Sequence, residues 1–236
     1  ELDLDVPNTA WYASRDRTLE LLNTFATLGG TLAKIGRNVL VLNREEIGEL
    51  KEPIPEGMVG SSTMPHKRNP VKSERTVGLA ALLRGHANAM TSLVEAHDER
   101  DAGLWYGEYA LLPEAFLYLH RALRNTAETL EGLSVEVEAM RENMDLHDGL
   151  PTSEAGMMAL AEHVGRQTAH DLVYDAAMEA ATSDRGFEDC LLDDERIAEA
   201  LSAEEVAELT DPANYTGVSD TIARRAVEAS RERESG

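Results

Sequence analysis

The densest chemistry in the sequence lies in one run, Gly60-Ser61-Ser62-Thr63-Met64-Pro65-His66-Lys67-Arg68-Asn69-Pro70. A glycine followed by two serines offers exposed N–H groups and two hydroxyls. Pro65 and Pro70 then bracket an ammonium (Lys67), a guanidinium (Arg68) and an amide (Asn69). Donors of these kinds can converge on one anion. From the residues alone, a carboxylate- or phosphate-binding loop and a plain surface turn are both open readings.

Arg15 and Arg100 are further candidates for substrate carboxylates, with a buried Arg paired to an acidic side chain between helices as the alternative for each. Trp105 fits a core position better than a substrate platform. His163 and His170 stand seven apart on one expected helix, but no third ligand sits at metal spacing and no His-Glu-x-x-His occurs, so no metal is expected. His66 is placed to orient the substrate or the loop. His86, His97, His120 and His147 fit helix surfaces or interfaces.

The elements that must position these groups are helices. Pro7-Asn8-Thr9 supplies cap and turn chemistry before a Pro-free run to about Arg44. In it Leu21, Phe25, Leu28, Leu32, Ile35 and Val39 recur at helical spacing and predict one buried face. Ala26, Gly29, Gly30, Ala33 and Gly36 between them suit the close approach of a second helix, unless Gly29-Gly30 breaks the first. Periodicity disappears over 45–70, where prolines and glycines accumulate, so a long loop is expected, and such loops are often functional lids. Helical spacing returns from Val71 to about Ala96, with Leu79, Leu82, Leu83, Met90, Leu93 and Val94 on one side. A further helix is expected from Tyr106 or Leu112 to Leu130, with Pro113 in its first turn or at a kink.

Shorter helices are expected at Val135–Leu146, Ser153–Ala181, Asp194–Ala200, Ala203–Leu209 and Ser219–Ser230. The predicted class is all-α: a long-helix region over 1–130, carrying the loop 45–70, and a smaller C-terminal helical region over 131–236. Ala and Leu dominate long stretches and aromatics make up only 5%, which favours helices over a β-sandwich.

A formal net charge of -22, from 44 acidic and 22 basic side chains, disfavours nucleic acid as a partner. Only Lys34, Lys51, Lys67 and Lys72 are lysines. This predicts a halophilic protein, because carboxylate repulsion is screened once the Debye length falls to about 3 Å at 1 M salt, with an ordinary acidic protein as the alternative. Cys190 is the single cysteine, so no intramolecular disulfide is possible and a reducing cytoplasm is expected. No apolar run approaches the roughly 20 residues of a membrane span, and the acidic start is unlike a targeting segment. A first residue other than Met suggests a chain that begins inside a longer protein.

The run Gly60 to Pro70 resembles the GSSxMPxKxNP motif of the fumarase/aspartase superfamily, whose members eliminate across, or add to, a carbon alpha to a carboxylate through an aci-carboxylate intermediate. The resemblance implies an all-helical, cofactor-free lyase or cycloisomerase. It implies Ser61 as catalytic base, Lys67 and Asn69 as groups holding the substrate carboxylate, and Met64 as part of a mobile lid, with Ser62 and His66 beside them. A serine base needs a stabilised alkoxide, which backbone N–H groups and Lys67 could supply once water is excluded.

The Pro-x-Lys-Arg-Asn-Pro form, with Arg68, resembles the adenylosuccinate lyase and 3-carboxy-cis,cis-muconate cycloisomerase branch. Within it, Glu99-Arg100-Asp101-Ala102-Gly103-Leu104-Trp105-Tyr106-Gly107-Glu108-Tyr109 followed by Leu112-Pro113-Glu114 is similar to the cycloisomerase pattern. Gly103 and Tyr109 stand where adenylosuccinate lyases carry a serine and an arginine for phosphate. Trp11 to Arg17, Gly165 to Val173 and Asp211 to Gly217 lean the same way, although Tyr12, Ala13 and Ser14 depart from the pattern.

The resemblance implies a homotetramer whose active sites each combine three sequence regions from different subunits. Two of those regions precede residue 1, so this chain alone is expected to be inactive. The readings carried forward are a cycloisomerase of aromatic-acid breakdown acting on a small polycarboxylate, an adenylosuccinate lyase of purine synthesis, and a catalytically silent helical oligomerisation module.

Overall fold

The computed structural model describes residues 5, 8, 12–54 and 68–235, with side chains to 233. Ser61, Ser62, Met64, His66 and Lys67 lie outside the described residues. The chain divides into two compact units, Glu1–Ala139 and Met140–Gly236.

The first unit is built on α1 (Asp16–Leu42), α2 (Val71–Thr91) and α3 (Ala102–Glu131). Gly29 and Gly30 do not break α1. Side chains show how the three helices run: Gly36 meets Ser73 and Gly29 meets Ala80 and Leu83, so α1 and α2 are antiparallel. Lys72 pairs with Glu128 and His86 with Glu114, so α2 and α3 are antiparallel too. A two-stranded antiparallel ladder, β1 (Leu50–Lys51) with β2 (Ser134–Val135), ties the segment after α1 to the segment after α3.

Close approach decides which residues are buried. A Cβ on Gly29 would stand 2.9 Å from Leu83 Cδ1, and one on Gly36 would stand 3.2 Å from the Ser73 carbonyl, so both positions require a missing side chain. The buried face of α1 is therefore Leu22, Phe25, Gly29, Leu32, Ala33, Gly36 and Val39. Leu21 and Leu28, expected on that face, are 38% and 37% exposed. On α2 the buried residues are Ser73, Thr76, Ala80, Leu83, Ala87 and Met90, while Leu82 is 47% exposed. Phe25, Leu32 and Val39 of α1 and Leu83 and Met90 of α2 are buried as expected, while the narrow helix–helix seam takes small residues in place of Leu21, Leu28 and Leu82.

α3 begins earlier than the sequence suggests. Asp101 caps it by accepting the Gly103 N–H at 3.1 Å, and Pro113 sits inside the helix instead of at its start.

α4 (Val137–Asp145) precedes a 3-10 turn, Leu150–Thr152. Then follow α5 (Ser153–Val164), α6 (Arg166–Thr182), α7 (Phe187–Leu192), α8 (Glu195–Ala200), α9 (Ala203–Thr210) and α10 (Ser219–Ser235). The expected helix from Ser153 to Ala181 is two helices, divided at Gly165, whose φ of +83° and ψ of 154° suit only glycine. His163 and His170 thus stand on different helices, not one. α7 was not expected from the sequence. The second unit's core gathers Leu160, Leu172, Val173, Phe187, Cys190, Leu191, Ile197 and Val206. Burial pushes the Cys190 thiol up, so the side chain packs as a small apolar group and not as a thiolate nucleophile.

Candidate active site

The described residues flanking the Gly60–Pro70 motif are held by an unusual set of buried polar contacts. Helix α2 opens after Pro70, which has no side-chain cap to offer its free amides. The cap comes instead from Glu52, before the loop. One carboxylate oxygen accepts the Lys72 N–H at 2.8 Å; the other accepts the Ser73 N–H at 2.9 Å and the Ser73 hydroxyl at 2.7 Å. Thr129 of α3 adds a long contact at 3.5 Å. At 5% exposure Glu52 would be costly to bury as a bare anion, but first-turn amides and the positive end of the helix dipole satisfy it.

Asn43, at the C-cap of α1, binds both flanks. Its Nδ2 donates to the Arg68 carbonyl and its Oδ1 accepts the Glu52 N–H, each at 3.2 Å. Beside it, Lys72 Nζ lies 3.1 Å from Glu128, and the hydrogen bonds from Lys72 and Arg124 hold the Glu128 carboxyl below its ordinary range. Asn69 is half-buried at this end of the bundle, its carbonyl accepting the Val71 N–H at 2.9 Å.

Arg15 and Arg100 form a second cluster. Arg15 Nε lies 2.9 Å from Glu108, with both side chains largely buried. The guanidiniums of Arg15 and Arg100 stand 5.7 and 5.3 Å from the Trp105 ring centre, within cation–π range. Trp105 Nε1 donates to the Tyr12 carbonyl at 3.2 Å. Trp105 is thus a platform for two cations and not simply core, whereas Arg15 takes the ion-paired alternative.

The two clusters occupy opposite ends of the bundle. Asn69 precedes the start of α2, while Gly107 of α3 packs on Leu93 just past its end. The 21 residues of α2 span about 30 Å at 1.5 Å per residue. Within one copy, Arg15 and Arg100 cannot touch the same small molecule as Asn69.

Sequence reasoning missed Asn43, Glu52, Lys72 and Glu128. Their contacts with one another join positions 9 to 56 residues apart, with no spacing rule that a sequence would display. Among the described residues no three His, Cys, Asp or Glu side chains gather as a metal set. No helix among them is long and apolar enough to cross a membrane.

Two family models match: one described as Lyase over residues 4–85, the other as Adenylosuccinate lyase C-terminus over residues 149–226. N-acetyl-S-(2-succino)cysteine lyase of Dickeya dadantii is 41% identical over 216 residues, 92% of this chain and 48% of the relative. 3-Carboxy-cis,cis-muconate cycloisomerase of Pseudomonas aeruginosa is 37% identical over 227 residues, 96% of this chain and 50% of the relative. The crystal structure of 3-carboxy-cis,cis-muconate lactonizing enzyme from Pseudomonas putida superposes with a TM-score of 0.89 at 36% identity, covering 96% of this chain and 51% of that one. The chain belongs to the fumarase/aspartase superfamily.

The match to the Lyase model over residues 4–85 includes the Gly60–Pro70 run. The chain spans about half the length of the superfamily relatives it matches.

Proposed function

We propose that this chain carries part of a lyase or cycloisomerase active site for a small polycarboxylate, of the 3-carboxy-cis,cis-muconate cycloisomerase kind. The observation that carries the reading is the 36–37% identity to cycloisomerases across 96–97% of the chain. In this reading Ser61 removes a proton from the carbon alpha to a carboxylate. Lys67 and Asn69 hold that carboxylate as charge moves into its aci form, and Ser62, Met64 and His66 complete the loop. The C–O bond to the internal carboxylate then breaks, or forms in the reverse direction. Arg100 serves a carboxylate at the other end of the bundle, beside Arg15, which is already paired with Glu108, with no cofactor or metal required.

The separation of those ends along α2 supports a homotetramer in which different copies bring them together, so that one isolated copy of this chain turns nothing over. The exposed Phe116, Leu117 and Leu82 supply apolar surface for such an assembly. The acidic, Lys-poor surface supports a salt-adapted, cytoplasmic protein.

A second reading follows from the 41% identity to N-acetyl-S-(2-succino)cysteine lyase. An adenylosuccinate lyase is the third reading, supported by the match of residues 149–226. The test is to offer the full protein all three compounds. Turnover of carboxymuconate, abolished by Ser61→Ala, is expected. Turnover of only one of the others moves the protein to that activity. Turnover of none, with a tetramer in light scattering, leaves a silent oligomerisation module.

A further inference from the structure

Asn43 bonds both to Glu52, before the motif, and to Arg68, near its end. Its backbone N–H is bonded to Val39 in the last turn of α1, at 2.9 Å, and the residue is buried. The side chain is therefore anchored to a long helix, not to a loop. An amide is the neutral terminal group that offers a donor and an acceptor side by side, and its partners here fix which is which: the Arg68 carbonyl can only accept and the Glu52 N–H can only donate.

The Arg68 carbonyl and the Asn69 N–H belong to one planar peptide group. Holding the carbonyl sets the plane from which Asn69 departs. On the far side of Asn69, the Glu52 carboxylate fixes Lys72 and Ser73, and Glu52 is itself held by Asn43. The backbone on both sides of Asn69 is thus held by a network that runs through one side chain, Asn43, at the C-cap of α1.

We propose that Asn43 is a positioning residue for catalysis, which orients Asn69 toward the substrate carboxylate without touching substrate. The inference rests on the carboxylate-binding role given to Asn69 above. A misplacement of about 1 Å near the reacting groups can cost on the order of 100-fold in rate.

The test compares Asn43→Ala and Asn43→Asp in the full protein, using whichever of the three substrates the wild type turns over. Asn43→Ala is expected to lower kcat at least about tenfold while KM stays within about threefold. Asn43→Asp keeps the acceptor for Glu52 but, when ionised, loses the donor to Arg68. Protonation restores that donor, so its kcat relative to wild type should rise as pH falls through the carboxyl range, whereas the ratio for Asn43→Ala stays flat. A kcat for Asn43→Ala within twofold of wild type, or an Asn43→Asp ratio that does not respond to pH, overturns the proposal. Should the wild type turn over none of the three, the functional reading fails separately, and amide exchange decides the clamp. Asn43→Ala should then speed exchange at Glu52 about tenfold or more, and unchanged exchange there overturns it.

Discussion

The Glu52 carboxylate takes both the backbone N–H and the hydroxyl of Ser73, a residue 21 positions later, at 2.9 and 2.7 Å. This contact caps α2 from outside the helix. Glu52→Ala leaves the Lys72 and Ser73 amides buried without an acceptor. It is expected to cost about 2–4 kcal/mol in urea unfolding, in line with losing charged hydrogen bonds and stranding their donors. A loss below about 0.5 kcal/mol would show that the cap contributes little.

Two glycines one turn and more apart on α1 should respond in opposite directions. Gly30 has nothing within 4 Å of an added Cβ, so Gly30→Ala should stabilise by about 0.5–1 kcal/mol through helix propensity. Gly36→Ala brings a methyl to 3.2 Å from the Ser73 backbone carbonyl and should destabilise despite the same propensity gain. Thermal melts of the two variants check the pair, and equal shifts would contradict the tight α1–α2 seam.

Acid should weaken the second unit through named carboxylates. Asp211 is held below its ordinary range by the Ala213 N–H and by Arg141, and Glu205 by the backbone and hydroxyl of Ser202. A carboxyl whose folded value is lowered contributes stability above its unfolded value. That contribution is lost as pH falls from about 4 through the lower folded values. Asp211→Asn retains a turn-capping oxygen but not the charge facing Arg141, so the acid limb of a melting-temperature profile should become shallower. An unchanged limb would remove Asp211 from the account.

The charge balance predicts a salt requirement. With 44 acidic and 22 basic side chains, the melting temperature should rise steadily from low to multimolar salt as repulsion is screened. A melting temperature independent of salt would refute salt adaptation.

The sequence alone determined the superfamily, because Gly60 to Pro70 is a contiguous motif whose chemistry needs those residue types in that order. It also determined the all-helical class and most helices of the second unit, since capping residues, Gly and Pro act locally. It named Arg15, Arg100 and Asn69 as one group of binding candidates. Only the tertiary structure decided that the two arginines and Asn69 stand at opposite ends of α2, because antiparallel packing, not chain order, sets that distance. It also decided that Trp105 carries two guanidiniums, and that Leu21 and Leu28 fall outside the α1–α2 seam that Gly29 and Gly36 occupy. The clamp made by Asn43 and Glu52 was hidden for the same reason. Its hydrogen bonds run largely to backbone groups far along the chain, and those are offered by every residue except proline.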